Sequence, residues 1–136
     1  MHPAGFLSYE HTGGPADFVY SRNALHHLPD FWKAIALERV AGLLRPDGIF
    51  RLRDIVFACG PGEAEAVIAA WLDTASPSSK LGWTREELEA HVRGEHSTFN
   101  WLLEPMLERA DFEIEQADYG PLRIYAEYLC VRRSRP

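Results

Sequence analysis

Two short stretches of this chain concentrate the side chains that could move a proton or hold an ion. The first is Ser21-Arg22-Asn23-Ala24-Leu25-His26-His27, a polar elbow after a short apolar run. An imidazole titrates near neutral pH, so His27 could serve as a general base; it could equally be a packed or surface histidine. The second is His91-Val92-Arg93-Gly94-Glu95-His96-Ser97-Thr98. His91, Glu95 and His96 raise a metal-ligand reading, because residues at i and i+4 share a helix face. The order H-E-x-x-H is absent and Gly94 weakens a helix there, so a polar helix junction without metal is expected. Asp54 stands in Arg51-Leu52-Arg53-Asp54, where charges interrupt an apolar pattern. A carboxylate in a buried strand needs partners. One reading puts Asp54 at a cleft mouth as a base or substrate-orienting group. The other, slightly favoured, pairs it with Arg22 or Arg53.

The elements around these residues follow from periodicity. Residues 17–57 read as one βαβ unit: an apolar strand, the elbow, an amphipathic helix, a Pro-Gly turn and a second strand. The first strand, at 18–21, is short and apolar, which predicts burial on both faces. The helix is expected to begin near Pro29, to carry Ile35, Leu37, Val40, Leu43 and Leu44 on one side, and to end at Pro46 and Gly48. Residues 49–57 give the second strand. In such sheets a ligand lies beyond the carboxyl ends of the strands, where the elbow falls.

A helical region spans 62–110. Its first helix, over 62–75, carries Ala66, Ile68, Ala69, Trp71 and Leu72 and stops at Ser76-Pro77-Ser78-Ser79. Thr84-Arg85-Glu86-Glu87 is a capping box, and Ser97 is expected to cap a further helix holding Trp101, Leu102, Leu103, Met106 and Leu107. Residues 111–133 close the chain with two alternating strands around Gly120-Pro121, expected to pair antiparallel. The lead-in 1–16 contains a possible short strand at 6–9 and a Gly13-Gly14-Pro15 turn. Trp32, Trp71, Trp83 and Trp101 fall mostly at core spacing.

Composition narrows the function. The chain has 136 residues, 46% of them hydrophobic, enough for one domain, 1–136, with a real core. A net charge of −6 argues against nucleic acid or an anionic membrane as partner. No apolar run approaches a membrane span and no signal-peptide pattern opens the chain, so a cytoplasmic protein with Cys59 and Cys130 reduced is expected. The G-x-S-x-G elbow of an α/β hydrolase is also absent.

The order of elements resembles a class I S-adenosylmethionine-dependent methyltransferase. The resemblance rests on the Asp-led strand at Asp17, the run "NALHHL" from Asn23 to Leu28, and the amphipathic helix. It rests further on the turn Leu44-Arg45-Pro46-Asp47-Gly48, with Asp47 in place of the family's first glycine, and on the Asp-Phe-Glu-Ile strand near the end. It implies an α/β fold: a partial Rossmann-like sheet of about four strands, with a parallel pair plus a C-terminal antiparallel strand, flanked by helices. The family's glycine-rich turn, which holds the methionine end of the cofactor, is absent; Gly13-Gly14-Pro15 precedes a strand instead of following one. The chain therefore corresponds to the later part of the family's domain, and the front part is expected to lie outside it.

The resemblance implies S-adenosylmethionine as cofactor, contacted by Ser21, Asn23, Leu25 and His26, with His27 and Asp54 as catalytic candidates. It points to Trp83, Arg93, Glu95 and Phe99 as substrate contacts for a small-molecule acceptor. Asn23 and His26 could instead only cap the elbow. Without a neighbouring first strand, residues 18–21 would leave an open sheet edge, for which a homodimer is expected, or else residues 1–16 folding back over it. The alternative function is a non-catalytic dimerisation or regulatory module that no longer binds the cofactor.

Overall fold

A strand whose alternate residues are Phe50, Leu52 and Asp54 presents all three on one face, and this face organises the molecule. The computed structural model describes residues 15–77 and 82–133. In it, β1 (Ala16–Arg22) leads through a 3-10 turn (Leu25–His27) into α1 (Asp30–Leu43), which feeds β2 (Leu44–Ile55). Then come α2 (Ala64–Leu72), α3 (Arg85–Gly94) and α4 (Asn100–Arg109), followed by β3 (Phe112–Asp118) and β4 (Tyr125–Arg132). The four strands form one sheet in the order β1-β2-β4-β3. β1 and β2 are parallel, with Ser21 opposite Leu52 and Arg22 opposite Arg53. β4 lies antiparallel to both β2 and β3. The expected mixed α/β sheet, with a parallel pair and antiparallel C-terminal strands, is therefore observed.

Two apolar clusters sit against the sheet. Ala36, Leu37 and Val40 of α1 and Leu103 and Leu107 of α4 pack with Phe50, Leu52, Phe112, Ala126, Tyr128 and Cys130. Beyond the strand tips, Val67 and Trp71 of α2 and Leu88 of α3 pack with Ile55, Phe57, Cys59 and Ile124. Burying each valine, leucine, isoleucine or phenylalanine among them contributes roughly 1.5–3 kcal/mol.

Several sequence expectations need correction. β1 is longer than 18–21 and is not buried on both faces: Phe18 is 53% exposed, because β1 lies at the sheet edge and its outer face carries no described helix. α1 starts where expected but ends at Leu43, so Pro46 and Gly48 belong to a bulged entry into β2. There Asp47 takes a left-handed φ of 67°. A Cβ on Gly48 would lie 2.8 Å from the Arg45 carbonyl oxygen, so the close approach, not the φ, requires glycine. In α2 the inward residues are Val67 and Trp71, while Ala66 and Ala69 face outward.

Ser97 caps nothing: α4 begins at Asn100 with Phe99 as its cap residue, and the Ser97 hydroxyl bonds His91 instead. The Thr84 capping box on α3 forms as expected. Of the tryptophans only Trp71 is core; Trp32, Trp83 and Trp101 are each more than two-fifths exposed. The strand considered at 6–9 and the turn residues Gly13 and Gly14 lie outside the described residues. Among the described residues no helix is long and apolar enough to cross a membrane.

Cys59 and Cys130 are both buried and unpaired. Burial pushes the Cys130 thiol up to about 12 and raises that of Cys59. Neither thiol should react with Ellman's reagent within minutes at pH 8 in the native protein, and both should react in guanidinium chloride. A native titre of two thiols contradicts this placement.

Candidate functional site

The site begins with Asp54, whose side chain is carried by the inward face of β2 to the tip of the strand. It is 2% exposed, so its charge must be met from within. Oδ2 accepts from the backbone N–H of Leu25 at 2.8 Å and of His26 at 3.3 Å. Oδ1 accepts from the Ile55 N–H at 2.8 Å and meets His26 Nδ1 at 2.5 Å. The residue before the 3-10 turn is Ala24, which has no side chain to cap it. Asp54 supplies that cap from the neighbouring strand. Because a carboxylate accepts at Nδ1, that nitrogen carries a proton, and in the neutral ring the lone pair falls on Nε2.

His26 is buried and sits between two other imidazoles. Its ring centroid is 4.2 Å from that of His27 and 4.7 Å from that of His91. His27 is exposed and its Nδ1 lies 2.8 Å from Glu95 Oε2, a contact that holds the Glu95 carboxyl below its usual range. His91 is buried against Trp71 and Trp83, and its Nε2 is 2.8 Å from the Ser97 hydroxyl. Burial first, and the adjacent His26 second, push His91 down to about 4, so it is neutral at pH 7.

Two further contacts fix the elbow. The His96 N–H donates to the His26 carbonyl at 2.8 Å. Lys33, 2% exposed on α1, donates its ammonium to the carbonyls of Leu28 and His96 and to Asp30. Burial lowers its pKa, and Asp30 works against that shift. Sequence reasoning passed over Lys33 because a lysine at a helical core position reads as an interruption of the apolar stripe.

Next to the elbow, at the carboxyl ends of β1 and β2, lies a cavity of about 310 Å³ lined by residues that include Asn23, Ile55, Thr74, Trp83, Leu88 and Tyr125. Asn23 adopts a left-handed φ of 52° as the chain leaves β1, and its N–H extends the strand ladder to the Arg53 carbonyl at 2.9 Å. Trp71 donates its indole N–H to the Tyr125 hydroxyl at 2.8 Å beside the cavity.

The structure brings together Asp54, His26, His27 and Glu95, and places Asn23 and Trp83 at the cavity. It corrects the favoured partner of Asp54: neither Arg22 nor Arg53 reaches it, because the pleat turns Arg53 to the opposite, exposed face. Ser21 is buried, and its hydroxyl has no hydrogen-bond partner among the described residues. Leu25 is buried in the main core, where only its backbone serves the elbow. Arg93 pairs with Glu89 on an exposed flank, and Phe99 stacks on Trp101; neither lines the cavity.

No protein-family model matches this chain, and no curated protein matches it. Solved structures do match. One is an O-methyltransferase family 2 protein from Planctomyces limnophilus, in complex with apigenin. It shares 13% identity and a TM-score of 0.57, over 88% of this chain and 31% of its own. LepI, in complex with SAM, shares 14% identity and a TM-score of 0.61 over 97% of this chain and 30% of its own. The [4+2]-cyclase SpnF shares 13% and 0.63 over 97% and 55%. These likenesses show a methyltransferase-like fold. The chain spans about a third of the length of the first two.

Removing the Asp54 carboxylate leaves four donors without their acceptor. Asp54→Ala should lower the unfolding free energy by about 3 kcal/mol in urea titrations, whereas Arg53→Ala should stay within about 0.5 kcal/mol. Equal losses in the two variants contradict the geometry.

Proposed function

We propose that this chain is the acceptor-side part of an S-adenosylmethionine-dependent methyltransferase acting on a hydroxyl of a small molecule. His26, not His27, is the general base. The observation that carries the reading is the Asp54–His26 pair at the carboxyl ends of the parallel strands. His27 lacks that support: it is exposed, and its partner Glu95 lies at the surface end of α3.

The residues present fit one end of the cofactor. The cavity beside Asn23 is of ligand size, and the orphaned Ser21 hydroxyl near the end of β1 awaits a polar partner. The bound cofactor would supply an electrophilic methyl group. This chain's own task is proton removal and positioning. His26 takes the acceptor's hydroxyl proton at Nε2, and Asp54 stabilises the imidazolium that results. Trp83 and Tyr125 offer aromatic walls against which an acceptor can be positioned. The apigenin-bound and SAM-bound structures of the same fold support both ligand classes. The second reading, a non-catalytic module, is favoured by the absence of a glycine-rich turn in these 136 residues.

Calorimetry separates the two. Titration with S-adenosylmethionine to millimolar concentration should give saturable heat that weakens in Asn23→Ala; no heat favours the module. In assays of labelled methyl transfer to small hydroxylated acceptors, His26→Gln should reduce the rate by about 10²–10⁴-fold while His27→Gln changes it little. The reverse order of effects returns the base to His27.

A further inference from the structure

We infer that His26, His27 and Glu95 form a binding site for a borderline divalent cation of the zinc class. One ligand atom from each of the three lies within 4.8 Å of the others. Bonds of about 2 Å in a tetrahedral shell separate ligand atoms by about 3.3 Å, so side-chain adjustments on the order of 1 Å close the site. Two imidazoles and one carboxylate are a ligand set that zinc accepts, with a fourth position left for water or an exogenous oxygen.

Three features distinguish this cluster from a chance surface group. Asp54 holds His26 Nδ1, so Nε2 is the nitrogen that His26 can offer. A carboxylate behind a ligating histidine is the usual outer-shell support of zinc sites, fixing the tautomer and ring orientation. The two backbone segments that carry the ligands are also tied to each other. The His96 N–H, next to Glu95, donates to the carbonyl of His26, and Lys33 clamps both Leu28 and His96. Finally, the site has an entrance: the His27 side chain is 58% exposed and that of Glu95 33%. The sequence had suggested His91, Glu95 and His96 for such a site. Folding replaces His91, whose Nε2 is engaged by Ser97, with the two histidines of the elbow.

An ion here sits where His27 and Glu95 now meet, and takes the Nε2 lone pair of His26. Under the proposed function, the same lone pair receives the acceptor's proton, so metal-bound and base-competent forms exclude each other. That consequence rests on the methyltransferase reading; the binding does not. It is tested without cofactor or acceptor.

The full chain, freed of metal with a chelator, is titrated with Co²⁺ and the visible d–d absorption is followed, then Zn²⁺ is added. The expected result is a band saturating at one equivalent, with the intensity of a four- or five-coordinate ion, and its loss to Zn²⁺. His27→Ala, at an exposed position, and Glu95→Gln, an isosteric change at a half-buried one, should leave folding intact by circular dichroism and each weaken Co²⁺ binding at least tenfold. Asp54→Asn should weaken it about 10–100-fold, and His96→Ala should leave it unchanged. Absence of the band overturns the proposal. So does a band of unchanged affinity in both His27→Ala and Glu95→Gln, which would leave His27 and Glu95 a surface ion pair only.

Discussion

A buried carboxylate is costly unless donors surround it, and in this fold the donors that surround Asp54 are the elbow itself. Four hydrogen-bonding groups converge on two oxygens: the N–H groups of Leu25, His26 and Ile55, and the His26 ring. Much of the local conformation follows from satisfying that charge. The chain leaves β1 at Arg22, turns through Asn23 in a left-handed conformation, and enters a 3-10 turn whose free N–H groups point at β2. The imidazole of His26 is thereby held in one tautomer with one nitrogen to spare.

The packing explains how Asp54 reaches that place. Phe50, Leu52 and Asp54 share a face of β2 because side chains alternate along a strand. The first two are fully buried under α1 and α4, which anchors the strand and its register against β1. The third then projects inward just beyond the main core, where apolar cover gives way to polar elbow. On the far side, α2 and α3 gather around Trp71 and close the cavity wall. Lys33 ties the start of α1 to the segment after α3, so the helical region and the elbow hold each other in position.

Much of this was legible in the residues. The βαβ unit, the capping box at Thr84 and the antiparallel closing strands follow from periodicity and turn chemistry, and all three are present. The partner of Asp54 was not legible from neighbours in sequence, since Arg53 is adjacent in the chain but opposite in the pleat. The alternation Leu52, Arg53, Asp54 carried the signal: a carboxylate on the leucine face must be met from the core side. The grouping of His26 and His27 with Glu95 depends on how the segment after α3 folds back on the elbow, a contact across 68 residues that no local pattern encodes. The exposed tryptophans misled for a simpler reason. Trp101 gives its indole N–H to the Cys59 carbonyl while leaving part of its ring in solvent, which helical spacing alone does not distinguish from core.

The most direct test of this account is the protonation pattern of the His26 ring, read by long-range ¹H–¹⁵N NMR correlation near pH 7 in metal-free buffer. The account requires Nδ1 to carry a slowly exchanging, hydrogen-bonded proton, and the neutral ring to be the Nδ1–H tautomer. A His26 ring protonated at Nε2 alone, or one whose Nδ1 proton exchanges freely with water, would contradict it.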